Sequence, residues 1–168
     1  DKGTGYSKDK LAAISRYRED AILDSSGMFV YLKEMTQGKV WSSAYAPINT
    51  LPQTYEVTFT PDKATYRRID HQIETLTEII VTSGDHAEIR KLSLKNRSDA
   101  AVDVELTSYF EVVLGDARSD LAHPAFSNLF IETEYDEEKR SLIANRRPRS
   151  TTDNRLWVAT TLVSDQPL

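Results

Sequence analysis

Apolar and polar residues alternate with a period of two through most of this chain. Successive side chains of a β-strand point to opposite faces of the sheet, so this period predicts strands with one buried face and one exposed face. In residues 54–61, Tyr55, Val57 and Phe59 share one face, and threonine and glutamate side chains share the other. The longest run of this kind, residues 101–114, is predicted to form a single strand.

Short polar turns separate these runs. The chain is therefore predicted to contain about ten strands joined by tight turns, which is typical of a large antiparallel sandwich or barrel. Strands with one apolar face must pack on a second sheet to exclude water, so two packed antiparallel sheets are favoured. A change of phase at Arg90-Lys91 predicts a β-bulge. Only residues 9–21 could hold a helix, and no repeat or linker is visible, so we predict one all-β domain over residues 1–168.

The composition narrows the range of functions. A net charge of -5 argues against a general nucleic-acid binder, which needs a basic excess to neutralise phosphates. The absence of cysteine removes disulfides, thiolate catalysis and cysteine metal sites. The three histidines, His71, His86 and His123, are too far apart for a local metal motif, although a site assembled from distant residues stays open. We predict no cofactor, no metal and no membrane insertion by this domain.

The segment GTGYSK, residues 3–8, contains Gly-x-Gly followed by a serine and a lysine, as phosphate-binding loops often do. Such a loop needs a strand before it and a helix after it, because the helix N-terminus completes the phosphate site. Only Asp1 and Lys2 precede this segment, and no strand–helix–strand unit follows it. The sequence therefore favours a flexible glycine turn over a nucleotide site.

Two arginine-containing segments have alternative interpretations. In RYRED, residues 16–20, an extended backbone places Arg16, Arg18 and Asp20 on one face. The two guanidinium groups could clamp a phosphate or sugar hydroxyls, or they could form ion pairs with neighbouring acids. RRPRS, residues 146–150, could bind an anionic ligand, form a solvated loop, or dock a neighbouring acidic domain.

No constellation of residues with a recognisable catalytic spacing is present. His123 could act as a base, but the nucleophile patterns GxSxG and SxxK are missing, so a core-capping role is expected for it. Glu74 and Glu78 lie on one strand face, yet they belong to no distinctive carboxylate motif. Exposed aromatic residues on a sheet can stack on sugar rings, although burial is their commoner fate. The candidates are Tyr31, Trp41, Tyr45 and Trp157.

Four segments together resemble a known family: GTGYS, residues 16–42, HPAFSNLF and NRRPRS, in that order. The chain resembles the N-terminal β-sandwich domain of glycoside hydrolase family 94, formerly glycosyltransferase family 36, from Gly3 to about Val163. Within the family, the matching region of cyclic β-1,2-glucan synthases is the most similar. The resemblance implies a supersandwich of the galactose mutarotase-like type, present here as part of a larger domain.

The resemblance also implies a role. Family members are inverting phosphorylases of β-glucosides, and their general acid and phosphate site lie mainly in an (α/α)6 barrel after the sandwich. This chain is therefore expected to be a fragment without activity of its own, which supports and edges the sugar site of that barrel. An independent carbohydrate-binding module and a purely structural or dimerisation domain are the alternatives. The implied partner is a β-glucan, with a homodimer as a further arrangement, and the parent would lie at the cytoplasmic face of the bacterial inner membrane.

The resemblance further implies which residues edge the sugar site. Gly5, Tyr6, Ser7, Arg16 and Arg18 match the family's glycine-rich segment and nearby arginines by position. Tyr6 would stack on a sugar ring, Ser7 would bond a hydroxyl, and the glycine would let backbone amides approach the ligand. The family often has glycine where this chain has threonine at position 4, which is a departure from its pattern.

Overall fold

The computed structural model describes residues 1–20, 22, 24–151 and 153–165. The chain forms two compact units. The first unit comprises Asp1–Gly5 and Asp20–Phe110, and the second comprises Tyr6–Glu19 and Glu111–Leu168. Strands account for nearly all of the regular structure, and neither of the two helices found in the described residues is long and apolar enough to cross a membrane.

The elements, in chain order, are β1 (Lys8–Asp9), β2 (Ala12–Ser15), β3 (Phe29–Glu34), β4 (Val40–Ser42), β5 (Thr54–Phe59), β6 (Ala64–Asp70), β7 (Ile73–Val81), β8 (Glu88–Asn96), β9 (Val104–Tyr109), β10 (Val112–Gly115), α1 (Ala117–Ala122), α2 (Pro124–Asn128), β11 (Ile131–Asp136), β12 (Ser141–Arg146) and β13 (Leu156–Thr161).

The first unit contains two antiparallel sheets, in the orders β4-β3-β9 and β5-β6-β7-β8. Leu32 of β3, Trp41 of β4 and Ile73 of β7 form one buried cluster, so the two sheets of this unit pack on each other. The cluster also contacts Leu92, Val102 and Val104. Burying a side chain such as Leu32 contributes about 1.5–3 kcal/mol, and alternation of burial along β7 aims Ile73 into the cluster.

The second unit contains the sheets β1-β2-β10 and β11-β12-β13, together with both helices. Strand β10 lies at the centre of this unit, since it pairs with β2 and contacts β11, β12 and β13. Its Val113 and Leu114 are both buried, at 1% and 0% exposure. Helix α1 begins after Asp116, whose side chain accepts a hydrogen bond from the Ser119 amide, as an N-cap residue does.

The all-β, antiparallel class predicted from the alternation is confirmed. The strand predicted within residues 54–61 is present as β5, which pairs with β6, and β6 pairs in turn with β7. The structure has four open sheets in place of the two that the alternation favoured, two in each unit, and none of them closes as a barrel within the described residues. The single domain over residues 1–168 stays a prediction.

Residues 101–114 do not form one strand. Strand β9 ends at Tyr109 and pairs with β3, whereas β10 begins at Val112 and pairs with β2 in the other unit. The alternation runs through both strands because each has one apolar face, but a period of two does not specify the partner strand. A register shift within β10, where Leu114 has a φ of 49°, buries two successive residues and breaks the predicted face.

Two other local predictions are wrong. The β7–β8 ladder runs without a break from Ile73↔Asn96 to Val81↔Glu88, so no bulge occurs at Arg90-Lys91. Residues 12–15 form β2 rather than part of a helix, with Ala13 and Ser15 buried at a period of two (Ala21, at the end of the proposed helix, is outside the described residues). The helices lie instead at residues 117–128, where Asp116 caps α1 and Pro124 opens α2.

Candidate functional site

A pair of exposed tyrosines flanks the β1–β2 hairpin in the second unit. The ring centroids of Tyr6 and Tyr17 are 4.9 Å apart and the rings are inclined by 35°. The two side chains remain 44% and 41% exposed. Tyr6 precedes β1 and Tyr17 follows β2, so antiparallel pairing of the hairpin brings them together. Paired exposed rings can stack on the apolar face of a sugar.

The backbone beside this tyrosine pair is held in place by the hairpin. The Ser7 carbonyl accepts hydrogen bonds from the amides of Ile14 at 2.8 Å and Ser15 at 3.2 Å. The Ser7 amide donates to the hydroxyl of Ser15 at 2.9 Å, and Ser15 is fully buried. Tyr6 therefore extends from a fixed backbone position.

Arg16 is 8% exposed, and its guanidinium group lies among acceptors of the second unit. Its Nε and Nη2 donate to the two carboxylate oxygens of Asp120 at 2.8 and 2.9 Å. Nη2 also donates to Oδ1 of Asn128 at 2.6 Å, and Nη1 pairs with Glu111. The ion-pair alternative predicted for Arg16 is therefore present, and this side chain ties the segment after β2 to α1 and α2.

The pair shifts the pKa of both partners in the directions expected of charges that stabilise each other. The hydrogen bond with Asp120 raises the pKa of Arg16, against the effect of burial. Burial of Asp120 disfavours its charge, but hydrogen bonds from Arg16 and Ser127 outweigh this and hold the pKa of the carboxyl below its usual value. Both groups are charged at neutral pH.

The remaining predicted residues fall in both units. Arg18 is exposed in the second unit, and Gly5 belongs to the first unit, where its amide donates to the Ser26 carbonyl at 3.0 Å. Gly3 has a φ of 83°, and a Cβ at this position would lie 2.3 Å from the Cβ of Ala44. The first glycine of GTGYSK therefore permits close packing within the first unit.

The HPAFSNLF and NRRPRS segments meet in the second unit. Guanidinium carbons of Arg146, Arg147 and Arg149 lie 5.5, 5.7 and 4.6 Å from the centroid of the Phe130 ring. Phe126 packs edge-on against Phe130 at 5.3 Å. The sequence singled out both segments separately, but their spacing carried no sign that they touch.

The candidate catalysts lie in ordinary surroundings. Glu74 is paired with Arg67 and Arg97, each at 2.6 Å, and Glu78 with Lys63 at 2.5 Å. These hydrogen bonds lower the pKa of both glutamates, which suits structural ion pairs rather than a general acid.

The histidine and tryptophan candidates differ in exposure. His123 is exposed, so the core-capping role expected for it is wrong. Trp41 is buried and Trp157 is 53% exposed. The described residues contain no group of three or more histidine or acidic side chains that could hold a metal ion.

Sequence reasoning missed three residues of this region. Tyr17 was visible within RYRED, but nothing indicated that it would meet Tyr6. Asp120 and Asn128 lie more than a hundred positions from Arg16 and in no motif with it. Only the fold of the second unit brings them together.

Comparisons with known proteins agree with the fold. The family model described as Glycosyl hydrolase 94, supersandwich domain, matches residues 1–167. The cyclic beta-(1,2)-glucan synthase NdvB of Rhizobium meliloti (strain 1021) is 30% identical over 157 residues, covering 94% of this chain and 6% of that protein. N,N'-diacetylchitobiose phosphorylases of Vibrio proteolyticus and Vibrio furnissii are 24% and 23% identical, covering 68% and 77% of this chain and 15% and 16% of their own lengths.

The chain thus spans less than a fifth of each of these three relatives. Its match to the family model extends over nearly all of its length. The resemblance predicted from the four ordered segments is confirmed, and the chain belongs to the glycosyl hydrolase 94 supersandwich domain family.

Proposed function

We propose that this chain is the non-catalytic sandwich domain of a cyclic β-1,2-glucan synthase or related glycan phosphorylase, and that it edges the sugar site of an (α/α)6 catalytic barrel in the parent protein. The observation that carries the proposal is the exposed pair Tyr6 and Tyr17, 4.9 Å apart on a hairpin with a fixed backbone. Similarity to a glucan synthase and to two disaccharide phosphorylases supports β-linked sugar as the ligand class.

The proposed roles follow from exposure. Tyr6 and Tyr17 stack on a sugar ring. Ser7 and the exposed Arg18 follow them directly in sequence, and they form hydrogen bonds with hydroxyl groups of the sugar. Arg16 acts as a positioning residue, because its donors are occupied by Asp120, Asn128 and Glu111. Gly5 directly precedes Tyr6 in the chain, and its φ of 143° lies in the region that favours glycine.

Bond breaking belongs to the parent's barrel in this proposal. The chain alone is expected to catalyse no phosphorolysis, because Glu74 and Glu78, the carboxylates that the sequence singled out, are paired with cations. The parent protein acts on a β-glucan at the cytoplasmic face of the bacterial inner membrane. Resemblance to the cyclic glucan synthases is what supports this location.

The test replaces Tyr6 by alanine in the parent protein and measures glucan kinetics. Loss of one stacked ring, worth about 0.5–1.5 kcal/mol, is expected to raise KM about twofold to twelvefold. Tyr135→Ala is the matched control, because Tyr135 is 58% exposed in the same unit and lies on β11, in the sheet that does not contain the hairpin. Unchanged kinetics in Tyr6→Ala, or an equal change in Tyr135→Ala, would remove the proposal.

A free-standing carbohydrate-binding module is the second candidate. The observation in its favour is Trp157, 53% exposed on β13 with the Arg155 guanidinium 5.6 Å from its ring centroid. Titration of this chain with β-1,2-gluco-oligosaccharides, followed by amide chemical shifts, separates the two. Shifts around Trp157 favour the module, and shifts confined to Tyr6, Tyr17 and Arg18 favour the edge of a shared site.

A further inference from the structure

A cavity lies in the second unit, around the RRPRS segment of residues 146–150. The cavity has a volume of about 310 Å³. Strand β10 forms one wall through Val113 and Leu114, and residues 146–149 together with Asp153, Asn154 and Leu156 form others. This volume lies at the lower end of the range for small-molecule sites, which is about 300–1,000 Å³.

Three arginines of this region, Arg146, Arg147 and Arg149, form no salt bridge with any residue that the structure describes. Other arginines of the unit do: Arg16 is paired with Asp120, and Arg155 lies 3.6 Å from Glu132. Three guanidinium groups without a carboxylate partner are unexpected in a chain with 26 acidic and 21 basic residues. The positive charge gathered here is available to an external anion.

Arg146 is the most enclosed of the three. Its Nη1 donates to the carbonyl of Val113 at 3.1 Å and to the hydroxyl and carbonyl of Ser127 at 3.2 and 3.3 Å. No described acceptor is bonded to its Nε or Nη2, although a guanidinium group has five N–H donors. Burial lowers the pKa of Arg146 and the nearby charge of Arg149 lowers it further, and together they outweigh the opposite effect of Asp120 and Asp153. A bound anion would relieve both effects.

Two aspartates also line the cavity, but the protein's own donors occupy them. Asp116 accepts the amide of Ser119 at 2.9 Å as the N-cap of α1. Asp153 accepts the amides of Arg149 and Ser150 at 3.0 and 3.2 Å and the Ser150 hydroxyl at 2.9 Å. These bonds tie the Asp153 carboxylate to Arg149 and Ser150. The lining thus has three arginines and two aspartates, so the cavity carries a net positive charge.

Aromatic rings restrict the movement of the exposed arginines. The guanidinium carbon of Arg149 lies 4.9 Å from the Phe126 centroid and 4.6 Å from the Phe130 centroid. Arg147 also contacts Phe130. Stacked guanidinium groups lose less freedom when they bind a ligand, and their planar forks match phosphate oxygens.

We propose that this cavity binds a phosphate monoester of a small polyol, with the phosphate among Arg146, Arg147 and Arg149. A phosphate group alone would leave much of the cavity empty, and the walls formed by Leu114, Pro148, Asn154 and Leu156 suit a compact body with both apolar and hydroxyl surfaces. The ligand class is therefore a sugar-phosphate-sized anion. The proposal goes beyond the sugar-edge function, and it does not depend on Tyr6.

The test is calorimetric and NMR titration of the 168-residue chain with inorganic phosphate, with a hexose phosphate, with the corresponding neutral hexose, and with an acidic peptide. The hexose phosphate is expected to bind more tightly than phosphate, and the neutral hexose to leave the cavity amides unshifted. Expected amide shifts lie at residues 113–116, 146–149 and 153–156. Binding as a dianion also predicts tighter binding as pH rises through about 6, the second pKa of the phosphate ester.

Arg149→Gln is the decisive variant, because Arg149 is exposed and its side chain donates no hydrogen bond to any residue that the structure describes. Loss of one charge-assisted contact is expected to weaken hexose phosphate binding about tenfold or more. Arg155→Gln removes the same charge from an exposed, ring-stacked arginine outside the cavity, and it is expected to change the Kd less than twofold.

Three results would overturn the proposal. The first is the absence of shifts at the cavity amides with hexose phosphate. The second is an equal loss of affinity in Arg149→Gln and Arg155→Gln, which would indicate non-specific attraction. The third is binding of an acidic peptide at the cavity amides with no binding of hexose phosphate, which would make the cavity a docking point for protein.

Discussion

Replacing Arg16 by methionine tests the buried ion pair of the second unit. Asp120 is 4% exposed and would lose both hydrogen bonds from the guanidinium, at 2.8 and 2.9 Å. Breaking a buried pair by removing one partner typically costs about 3–5 kcal/mol. The cost of protonating the unpaired Asp120 carboxyl sets an upper limit on this loss of stability, because the neutral carboxyl no longer needs a cation. From an ordinary pKa of 3.8, neutralising it at pH 7 costs about 4 kcal/mol, at about 1.4 kcal/mol per pH unit.

That limit gives the variant a distinctive pH dependence. In the unsubstituted chain the pKa of Asp120 is lowered. The stability that its charge contributes is therefore fully present above the ordinary pKa of 3.8, and it is lost as pH falls through the lower pKa of the folded state. In Arg16→Met the pKa of Asp120 is expected to rise above its unfolded value. Its contribution is then greatest at low pH and is lost as pH rises. The difference in free energy of unfolding between the two proteins should therefore shrink as pH is lowered from 7 towards 4.

The assay is urea denaturation followed by far-UV circular dichroism at several pH values, with m-values compared so that a change in cooperativity is not mistaken for one in stability. Arg155→Met is the control, because its contact with Glu132 spans 3.6 Å between exposed side chains and should be worth less than about 1 kcal/mol. A loss below about 1 kcal/mol in Arg16→Met, independent of pH, would mean that Asp120 is solvated and the reasoning is wrong.

Two further predictions concern the first unit. Gly3→Ala places a Cβ 2.3 Å from that of Ala44 at a φ of 83°, so it should lower the free energy of unfolding by about 1–3 kcal/mol. Gly84→Ala is the control, because a Cβ there meets nothing within 4 Å. A decrease in melting temperature no larger than that of the control would contradict this prediction. Glu74 has a pKa lowered chiefly by Arg67, so its contribution is present above the ordinary pKa of 4.5 and is lost on acidification. The free energy of unfolding of Glu74→Gln should consequently fall less steeply below that pH than that of the unsubstituted chain. An equal slope in the two proteins would contradict the stabilising role of the Glu74 charge.

The period-two pattern predicted strands well where a strand stays within one ladder. Strands β5, β6 and β7 follow one another through short turns, so local alternation contains all that their pairing requires. The pattern failed at residues 101–114, because the chain changes its partner strand between Tyr109 and Val112. The choice of partner depends on residues far away in the chain. The short helices at 117–128 were missed because they are fixed by a cap and a proline rather than by an apolar stripe.

The candidate site was predictable only in part. Tyr6 and Arg16 were identified by resemblance, and local chemistry correctly offered ion pairing as one fate of Arg16. Its partner Asp120 could not be identified, since pairing across the chain leaves no periodic signal. The same holds for Phe130, whose contacts with the RRPRS arginines arise only after β11 and β12 pair.

The pairing of β2 with β10 has a consequence for biosynthesis. Ser15 lies opposite Val112, so nearly the whole first unit is translated between the two halves of this small sheet. Synthesis at about 5–20 residues per second leaves β2 without its neighbour for several seconds. During that interval one edge of the β1–β2 hairpin has no strand to bond, and unbonded edges are where nascent chains associate wrongly. Ribosome-associated chaperones would therefore be expected to engage the beginning of this chain.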